Sequence, residues 1–390
     1  MDDAGGPFMT SARDPDVVVI GAGPAGATAA CTLAARGHRV LLVDRASFPR
    51  AKVCGCCLAS SGQAVLRSLG LGDLVDDGVP LDTTVVHGAG RSTTLPFPGS
   101  VTLSRERLDP ALIDAARRRG VEFLPRTRAI VTDRDEVELR PLDATTGVPA
   151  PHLRPKAIVV ADGLGGRALD DRPAFRWRIA GRNRFGVGTV VEDVQDAPRR
   201  GELLMLTDRA GYLGVATLED GRVDLAAALH PERTRIGGGP AATCARILGE
   251  ARLPGLATAA AAAKWRGTPS LTRTRRCVAA GRVCCIGDAG GYVEPFTGEG
   301  MSWGMEAGVA VAPFVEAAIG GGDARAWNRA HAQLLSARRR RCRTVAFAIR
   351  HPRAAMPVMR LLGRLPRIGR RLAGVASGQS RPPADAGALG

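Results

Sequence analysis

The chain lacks any apolar run that approaches the roughly 18–20 residues needed to cross a membrane, so no transmembrane helix is expected. Its first segment, MDDAGGPFMTSARDP, is acidic and rich in Gly and Pro. It has neither the basic part nor the apolar part of a secretory signal peptide. We therefore expect a cytoplasmic protein in which residues 1–13, and the final residues 376–390, are disordered.

The pattern of a disulfide framework is also missing. The nine cysteines include two adjacent pairs, at 56–57 and 284–285, and neighbouring cysteines rarely bridge each other. The six histidines are scattered, without the close pairs typical of metal sites. The cysteines of residues 54–57 (CGCC) would need two further ligands to hold zinc. The sequence therefore predicts reduced thiols and no metal site.

Acidic residues are absent between Asp323 and Asp385, a stretch that holds 15 arginines and no lysine. The net charge of +16 therefore belongs almost entirely to this C-terminal segment, and the rest of the chain carries about +1. Apolar residues alternate with arginines at a spacing of three to four, which is typical of basic amphipathic helices. We expect basic helices over residues 323–375, and peripheral contact of Arg338–Arg371 with an anionic membrane or an acidic partner. Helices that pack on the body and expose an arginine face are the alternative. Nucleic acid is not an expected partner, because stacking aromatics are almost missing there.

A complete βαβ unit begins at residue 16. The apolar run DVVVI (16–20) leads into GAGPAG (21–26), an Ala-rich helix follows over residues 27–36, and VLLV (40–43) ends at Asp44. In this pattern Gly21 permits the tight turn, Gly23 lets a pyrophosphate approach the backbone, and Gly26 lets the helix pack on the strand. The helix N-terminus offers N–H groups to the phosphates, and Asp44 accepts hydrogen bonds from a ribose. The motif indicates a bound dinucleotide, either NAD or FAD.

The rest of the chain changes from a parallel to an antiparallel pattern and back. Residues 157–160 (AIVV) form a buried-type strand, whereas residues 186–229 contain four strands separated by turn residues, as in an antiparallel sheet. Two Ala-rich helices follow, at about 240–251 and 255–265. We therefore predict an α/β protein with a discontinuous Rossmann-like dinucleotide-binding domain of the glutathione reductase type (14–80, 100–170 and 270–322). An antiparallel-sheet substrate domain (81–99 and 171–269) is inserted in it, and a helical C-terminal segment follows.

A second glycine-rich site distinguishes FAD from NAD. Residues 284–291 (CCIGDAGG) place Asp288 directly after a strand, where it can bind a ribityl hydroxyl. Residues 295–301 (PFTGEGM) then open a predicted helix over 302–315, whose N-terminus would stabilise the anion of a reduced flavin. Glu299 lies in this turn. Its carboxyl either acts as a catalytic acid with a pKa raised by burial, or accepts hydrogen bonds from the helix N–H groups.

These motifs together resemble the FAD-dependent monooxygenase superfamily of para-hydroxybenzoate hydroxylase type over residues 14–320. Residues 48–55 (FPRAKVCG), 103–109 (LSRERLD) and 287–301 are most similar to its geranylgeranyl reductase-related branch. The resemblance implies that residues 48–55 pass beside the flavin, that Arg105 faces the pyrophosphate, and that the turn at Asp162 touches FAD. The full set of residues predicted to bind FAD is Gly21, Gly23, Pro24, Ala25, Gly26, Asp44, Arg45, Lys52, Cys54, Gly55, Arg105, Ala129, Asp162, Gly163, Gly287, Asp288, Pro295, Gly298, Gly300 and Met301.

The resemblance also implies the chemistry. The leading hypothesis is a monooxygenase that uses NAD(P)H and O2 to hydroxylate an aromatic, polyketide-like or lipidic small molecule through a flavin C4a-hydroperoxide. The alternative is a reductase or dehydrogenase of an isoprenoid or lipid double bond. Residues 212–217 (YLGVAT) lack the Trp and Phe-Pro of prenyl reductases, which disfavours prenyl reduction. Residues 175–180 (FRWRIA) match the halogenase W-x-W-x-I-P element incompletely, which disfavours halogenation. A flavoprotein without turnover is disfavoured because the flavin motifs are intact. The catalytic candidates are Glu299 and Cys54, whose side chain either is a reactive thiol or simply lets the backbone pass the flavin.

Overall fold

A computed structural model describes residues 14–88, 90–143, 150–179, 181, 183–293 and 299–336. The predicted disordered ends, the arginines from Arg338 to Arg371, and the predicted FAD ligands Pro295 and Gly298 lie outside these ranges. Of the basic C-terminal segment the structure describes only the beginning, in which residues 326–336 are helical. Within the described part of the chain, no helix is both long and apolar enough to span a bilayer.

Strands and helices are numbered here in chain order. The strands are β1 (Val17–Ile20), β2 (Val40–Val43), β3 (Cys57–Ala59), β4 (Val79–Gly88), β5 (Arg91–Thr102), β6 (Glu122–Leu124), β7 (Thr127–Val131), β8 (Val137–Pro141), β9 (His152–Leu153), β10 (Ala157–Val160), β11 (Trp177–Ile179), β12 (Phe185–Val191), β13 (Glu202–Asp208), β14 (Gly211–Thr217), β15 (Val223–Leu229), β16 (Arg266–Ser270), β17 (Arg273–Arg275), β18 (Ala279–Ala280), β19 (Val283–Cys285) and β20 (Gly291–Tyr292). The helices are α1 (Pro24–Ala35), α2 (Ser60–Ser68), α3 (Gly72–Asp76), α4 (Arg105–Arg117), α5 (Pro231–Ile236), α6 (Pro240–Glu250), α7 (Pro254–Ala262), α8 (Gly300–Ala310) and α9 (Ala312–Ile319), with 3-10 turns at Pro173–Phe175 and Gly287–Gly290.

The first sheet has six strands in the order β18-β19-β10-β1-β2-β6, and all its pairs are parallel except β18 with β19. Strands β1, β2 and β10 are buried along their whole length, as expected for parallel strands covered on both faces. Helices α1, α4, α8 and α9 supply the cover, and their apolar side chains join one large core with the sheet. The α/β architecture with a Rossmann-like sheet is therefore confirmed.

The second sheet has eight strands in the order β16-β12-β15-β14-β13-β4-β5-β3. Its two faces follow the period of two along each strand. Leu213, Val215 and Leu225 pack against helices α6 and α7 in one core cluster. Met205 and Tyr212 belong to a separate cluster on the opposite face. That opposite face is turned towards the first sheet, so it can form a wall of a site between the two.

The second sheet is more complex than the sequence indicates. Strand β4 pairs with β13 in parallel, so the sheet is mixed, although every other pair in it is antiparallel. Strand β3 pairs with β5 at the edge, although residues 57–59 fall within the predicted dinucleotide-binding segment 14–80. Both pairings join residues that are far apart in sequence, and no local pattern encodes their register.

The helix predicted over residues 302–315 is wrong as a single element. Helix α8 starts two residues earlier, at Gly300, and ends at Ala310, and α9 begins at Ala312. Pro313 is the cause, because proline has no N–H to donate to the carbonyl of Val309 and its ring crowds the preceding turn.

Candidate active site

One cavity of about 470 Å³ is lined by residues of both sheets. On one side it meets the residues that follow β1, β2, β10 and β19, which is the carboxyl edge of the parallel sheet and the usual ligand position in such folds. The predicted FAD-binding residues that line it are Gly21, Gly23, Pro24, Ala25, Asp44, Arg45, Lys52, Cys54, Gly55, Arg105, Ala129, Asp162, Gly163, Gly287, Asp288, Gly300 and Met301. Gly26 and Glu299 do not line the cavity.

At the nucleotide end, the turn after β1 is held by Asp44. Its Oδ2 accepts a hydrogen bond from the Ala22 N–H at 2.8 Å, and its Oδ1 accepts one from the Ala46 N–H at 2.8 Å. Gly21 adopts a φ of +106°, and a Cβ there would collide with the carbonyl of Ala161. These contacts fix the backbone that leads into α1; the Asp44 Oδ1 also accepts from Arg50, and the Oδ2 keeps a second lone pair for a ligand hydroxyl.

Two guanidinium groups face the start of α1. A Cβ built on Gly23 would lie 3.5 Å from Nη2 of Arg105 and 3.6 Å from Nη2 of Arg50. Arg105 is held by a bidentate pair with the fully buried Asp109, with both N–O distances at 2.8 Å. A helix N-terminus flanked by two arginines is well suited to a pyrophosphate.

Arg50 and Asp109 are functional candidates that the sequence analysis missed. Arg50 also pairs with Asp44 at 3.3 Å and with Asp109 at 3.5 Å, so it joins the adenosine end of the cavity to the phosphate position. Both residues occur inside segments that were singled out, FPRAKVCG and LSRERLD. Each is a charged residue in a segment that the sequence motifs already mark. Only the tertiary structure shows that these two side chains lie at the phosphate position of the cavity.

The two glycine-rich helix starts meet at Ala25. A Cβ on Gly287 would lie 2.8 Å from the Ala25 Cβ, one on Gly304 would lie 3.3 Å from it, and one on Gly308 would lie 2.6 Å from the Ala25 carbonyl oxygen. Helices α1 and α8 therefore pack with their backbones in close contact, which only glycine permits. This contact places the N-termini of both helices at one cavity, although about 280 residues separate them in sequence.

Two further carboxyl groups, those of Asp288 and Asp162, belong to residues that line the cavity. Burial raises the pKa of Asp288, although the positive charges of Lys52 and Arg105 act in the opposite direction. Lys52 is open to the cavity, but the protein around it and the nearby Arg50 lower the pKa of its ammonium group. The negative charge of Asp288 favours the protonated form of Lys52, and the positive charge of Lys52 favours the ionised form of Asp288.

Asp162 provides a test of whether the site fits FAD. Its Oδ2 accepts from the Ala168 N–H at 2.9 Å, while its buried Oδ1 has no hydrogen-bond partner among the described residues. Burial raises the pKa of this carboxyl. A ligand hydroxyl would satisfy the orphaned oxygen, because buried acceptors are rarely left unpaired. Together with the space at Gly23 and the arginines beside it, this observation fits FAD.

Three thiols lie along the segment that crosses the cavity. The Cys54 Sγ accepts a hydrogen bond from the Cys56 N–H at 3.4 Å. A hydrogen bond from the Cys56 thiol and the positive charge of Arg105 lower the pKa of Cys54, even though burial opposes this change. The same hydrogen bond and burial raise the pKa of Cys56, and burial raises that of Cys57. Cys54 is thus the thiolate candidate of this group.

We expect iodoacetamide to label Cys54 on the order of ten-fold faster than Cys277 at neutral pH, because only the thiolate reacts and burial raises the pKa of Cys277. Bound FAD should protect Cys54, since this thiol lines the cavity. Peptide mapping by mass spectrometry, with and without FAD, measures both effects, and Cys54→Ser identifies the labelled peptide. Equal labelling of the two cysteines would contradict the thiolate assignment.

The capping role expected for Glu299 is wrong. Glu299 occupies the N-cap position of α8 and is 6 % exposed, but its side chain forms no capping hydrogen bond with this fully described helix. Its backbone carbonyl accepts from the Trp303 N–H instead. Ser302 turns its hydroxyl towards another segment, where it accepts from the Ala59 N–H at 3.0 Å.

The substrate side of the cavity is formed by the eight-stranded sheet. Small and apolar residues of β13, β14 and β15 form this wall, namely Leu203, Met205, Tyr212, Gly214, Ala216, Ala226 and Ala228. One carboxyl, that of Asp224, is set among them, and the sequence analysis did not identify it. The YLGVAT segment of β14 thus contributes to the wall without the Trp and Phe-Pro of prenyl reductases.

Comparisons with known proteins agree with this geometry. A model of the FAD binding domain family matches residues 14–348. Menaquinone reductase of Mycobacterium tuberculosis is 28 % identical over 332 residues, which cover 75 % of this chain and 74 % of that protein. Squalene monooxygenase of Rattus norvegicus is 37 % identical over 79 residues, 20 % of this chain and 13 % of that protein. The solved structure of a flavin-dependent brominase superposes with a TM-score of 0.76 at 18 % identity, covering 94 % of both chains.

The family match spans most of the chain, including both glycine-rich helix starts and the sheet that carries the substrate wall. The brominase has a similar fold, but at this level of identity the likeness shows the fold alone. The chain therefore belongs to the FAD binding domain family, the family of FAD-dependent monooxygenases such as para-hydroxybenzoate hydroxylase, and it is an FAD-dependent oxidoreductase.

Proposed function

We propose that the protein is an FAD-dependent reductase that acts on a double bond of an apolar isoprenoid or quinone-like molecule. The main support is the part of the substrate wall formed by β13, β14 and β15, whose only polar side chains at the cavity are Tyr212 and the buried carboxyl of Asp224, and which faces the thiols of residues 54–57. Such a wall suits an apolar substrate that must receive a proton. The long match to menaquinone reductase supports the same reaction class. When bound, FAD supplies the two-electron chemistry, and the protein supplies placement, protons and exclusion of water.

Different residues along the cavity would bind different parts of FAD. We propose that Arg50, Arg105 and the N-terminus of α1 hold the pyrophosphate, and that Asp44 holds the adenosine ribose. Asp288 and Asp162 would bind hydroxyl groups of the ribityl chain. Lys52 would keep a positive charge beside the ring system, where negative charge accumulates during reduction. NAD(P)H is the proposed electron donor.

Hydroxylation is the second candidate function. The match to squalene monooxygenase favours it, as does membership of a family that includes para-hydroxybenzoate hydroxylase. This match covers a fifth of the chain, whereas the match to menaquinone reductase covers three quarters. For this reason we place reduction first, although the sequence motifs alone favour a monooxygenase.

The two functions differ in what they add to the substrate. We expect the FAD-loaded enzyme, incubated with menaquinone and dithionite under argon, to yield a product that retains two extra hydrogen atoms after the quinol is reoxidised. With NADH or NADPH in place of dithionite, bleaching of the flavin absorbance would identify the donor. High-resolution mass spectrometry of the extracted quinone measures the product.

The control is the same incubation with protein that carries no FAD. A product that gains one oxygen atom, formed under air and missing under argon, would replace reduction by hydroxylation. Unchanged menaquinone under both atmospheres would contradict the proposed substrate class.

A further inference from the structure

Asp224 is the second residue of β15 and lies on the face that lines the cavity. Its neighbours on this face are Ala226 and Ala228, and it is 5 % exposed. Its partners across the sheet are Val190 in β12 and Ala216 in β14, neither of which carries charge. An ionised carboxyl in such a position costs free energy unless it is paired, hydrogen-bonded or neutralised, because a buried charge is desolvated.

The groups that face Asp224 from the opposite segment are the thiols of Cys54, Cys56 and Cys57. The Cys56 thiol lies close enough to the Asp224 carboxyl and to Cys54 to lower the pKa of each, and the Cys56 N–H donates a hydrogen bond to the Cys54 Sγ at 3.4 Å. A continuous polar path thus runs from the substrate wall through Cys56 to Cys54, and from there to Arg105. Cys56 itself does not line the cavity, so it connects the two cavity-facing groups from behind.

The protonation states along this path differ. Burial raises the pKa of Asp224 well above its usual range, and the negative charge of Cys54 acts in the same direction. The Cys56 thiol alone acts against this rise. Burial therefore favours the protonated form of the Asp224 carboxyl, whereas the surroundings of Cys54 favour its thiolate.

We propose that Asp224 is the catalytic acid that gives a proton to the substrate, and that Cys56 positions its carboxyl and connects it to Cys54. This inference rests on the proposed reductase function. The observation that supports this inference is the position of one buried carboxyl in a largely apolar wall, next to the thiols of Cys54 and Cys56. A substrate that uses this acid has a double bond that takes the hydride equivalent at one carbon and the proton at the other, such as the isoprenoid double bond that the menaquinone experiment follows.

The step is balanced as follows. The substrate accepts one hydride equivalent at one end of the reducible bond and a proton at the other. The O–H bond of Asp224 breaks, a C–H or O–H bond of the product forms, and Asp224 becomes a carboxylate. A proton from solvent restores it, as the Cys56 thiol donates to Asp224 and is reprotonated in turn. No electrons pass through the thiols: FAD reduced by the proposed donor NAD(P)H would supply the hydride equivalent, so the step needs no other reductant.

The variant Asp224→Asn keeps the shape and a hydrogen-bond donor but cannot release a proton. Single-turnover reduction of menaquinone under argon should slow by on the order of 10²–10⁴-fold in this variant. FAD content and the binding of menadione, followed by the flavin absorbance, should remain within about three-fold of the wild type. Cys56→Ser, which retains a hydroxyl, should lose far less activity than Cys56→Ala.

The pH profile separates catalysis from a structural role. The acid must be protonated, and its pKa is raised, so the wild-type rate should fall as the pH rises through that pKa. The Asp224→Asn variant should lack this decrease. Asp220→Asn, at the exposed turn between β14 and β15, is the matched control and should behave as the wild type.

An unchanged rate in Asp224→Asn would overturn the inference and leave the reductase function intact. If the wild type forms no reduced product, the proposed function fails instead, and infrared spectroscopy then tests the acid directly. A protonated-carboxyl band present in the wild type at neutral pH and missing from Asp224→Asn supports the neutral acid. Identical spectra in this region would contradict it.

Discussion

Substitution of Gly23 by alanine should leave the apoprotein folded and weaken FAD binding on the order of 100-fold, or about 2.8 kcal/mol. A Cβ at this position meets only the tips of two arginine side chains, at 3.5 and 3.6 Å, so the empty fold tolerates it. The same methyl group would occupy the space through which a pyrophosphate approaches the backbone of α1. Titration of apoprotein with FAD, followed by flavin fluorescence, measures the change.

Substitutions at two other glycines serve as controls, one expected to have no effect and one expected to disrupt the fold. Gly249→Ala, near the end of α6, meets no atom within 4 Å and should bind FAD as the wild type does. In contrast, a Cβ on Gly26 would overlap the carbonyl oxygen of Gly21, so Gly26→Ala should damage both the fold and FAD binding. If Gly23→Ala bound FAD with unchanged affinity, the pyrophosphate would not lie at this helix start.

The largest effect on stability is expected for Arg105→Leu. This substitution leaves Asp109 fully buried, with only the longer contact to Arg50 at 3.5 Å. Removing one partner of a buried ion pair typically costs about 3–5 kcal/mol, and here the single longer contact with Arg50 compensates the remaining charge only in part. Urea denaturation of the apoprotein, followed by circular dichroism, should show this decrease in the free energy of unfolding.

The double variant Arg105→Leu/Asp109→Leu should recover most of the loss, since an apolar pair of similar volume replaces a buried ion pair at little cost. Arg107→Leu on the same helix is the control. It breaks an exposed pair with Asp77 and should change the free energy of unfolding by less than about 1 kcal/mol. A double variant as unstable as Arg105→Leu would indicate that packing, rather than charge, causes the effect.

The sequence predicts the parallel sheet and its first helix well, because their signals are local. The run of residues 16–20 and the glycines that follow it indicate a strand and a helix start within one stretch, and the structure has β1 at Val17–Ile20 and α1 from Pro24. The strand at 157–160 coincides with the predicted run, and the four strands predicted within residues 186–229 correspond to β12, β13, β14 and β15. In each case a short apolar segment is bounded by turn residues, so the local sequence is sufficient to predict the strand.

The parts that the sequence did not predict depend on contacts between distant segments. Strand β3 and the parallel pair of β4 with β13 require a register that no local pattern encodes. The sequence alone could have indicated Asp224 as a candidate, because in the strand VDLAAAL an acid at this position lies on the same face as Ala226 and Ala228. Recognising it as a buried acid, rather than an exposed residue on an edge, required the position of the three thiols above it.

The contact of Ala25 with Gly287, Gly304 and Gly308 has a consequence for how the enzyme is made. The cavity proposed for the cofactor is complete only when α8 packs on α1, so a nascent chain shorter than about 310 residues would lack a complete site for the flavin. Loading with FAD must therefore follow synthesis of nearly the whole catalytic body, including the inserted eight-stranded sheet. The first glycine-rich turn is synthesised early in translation. It forms only one part of the proposed site until the second glycine-rich segment has been synthesised and has packed against it.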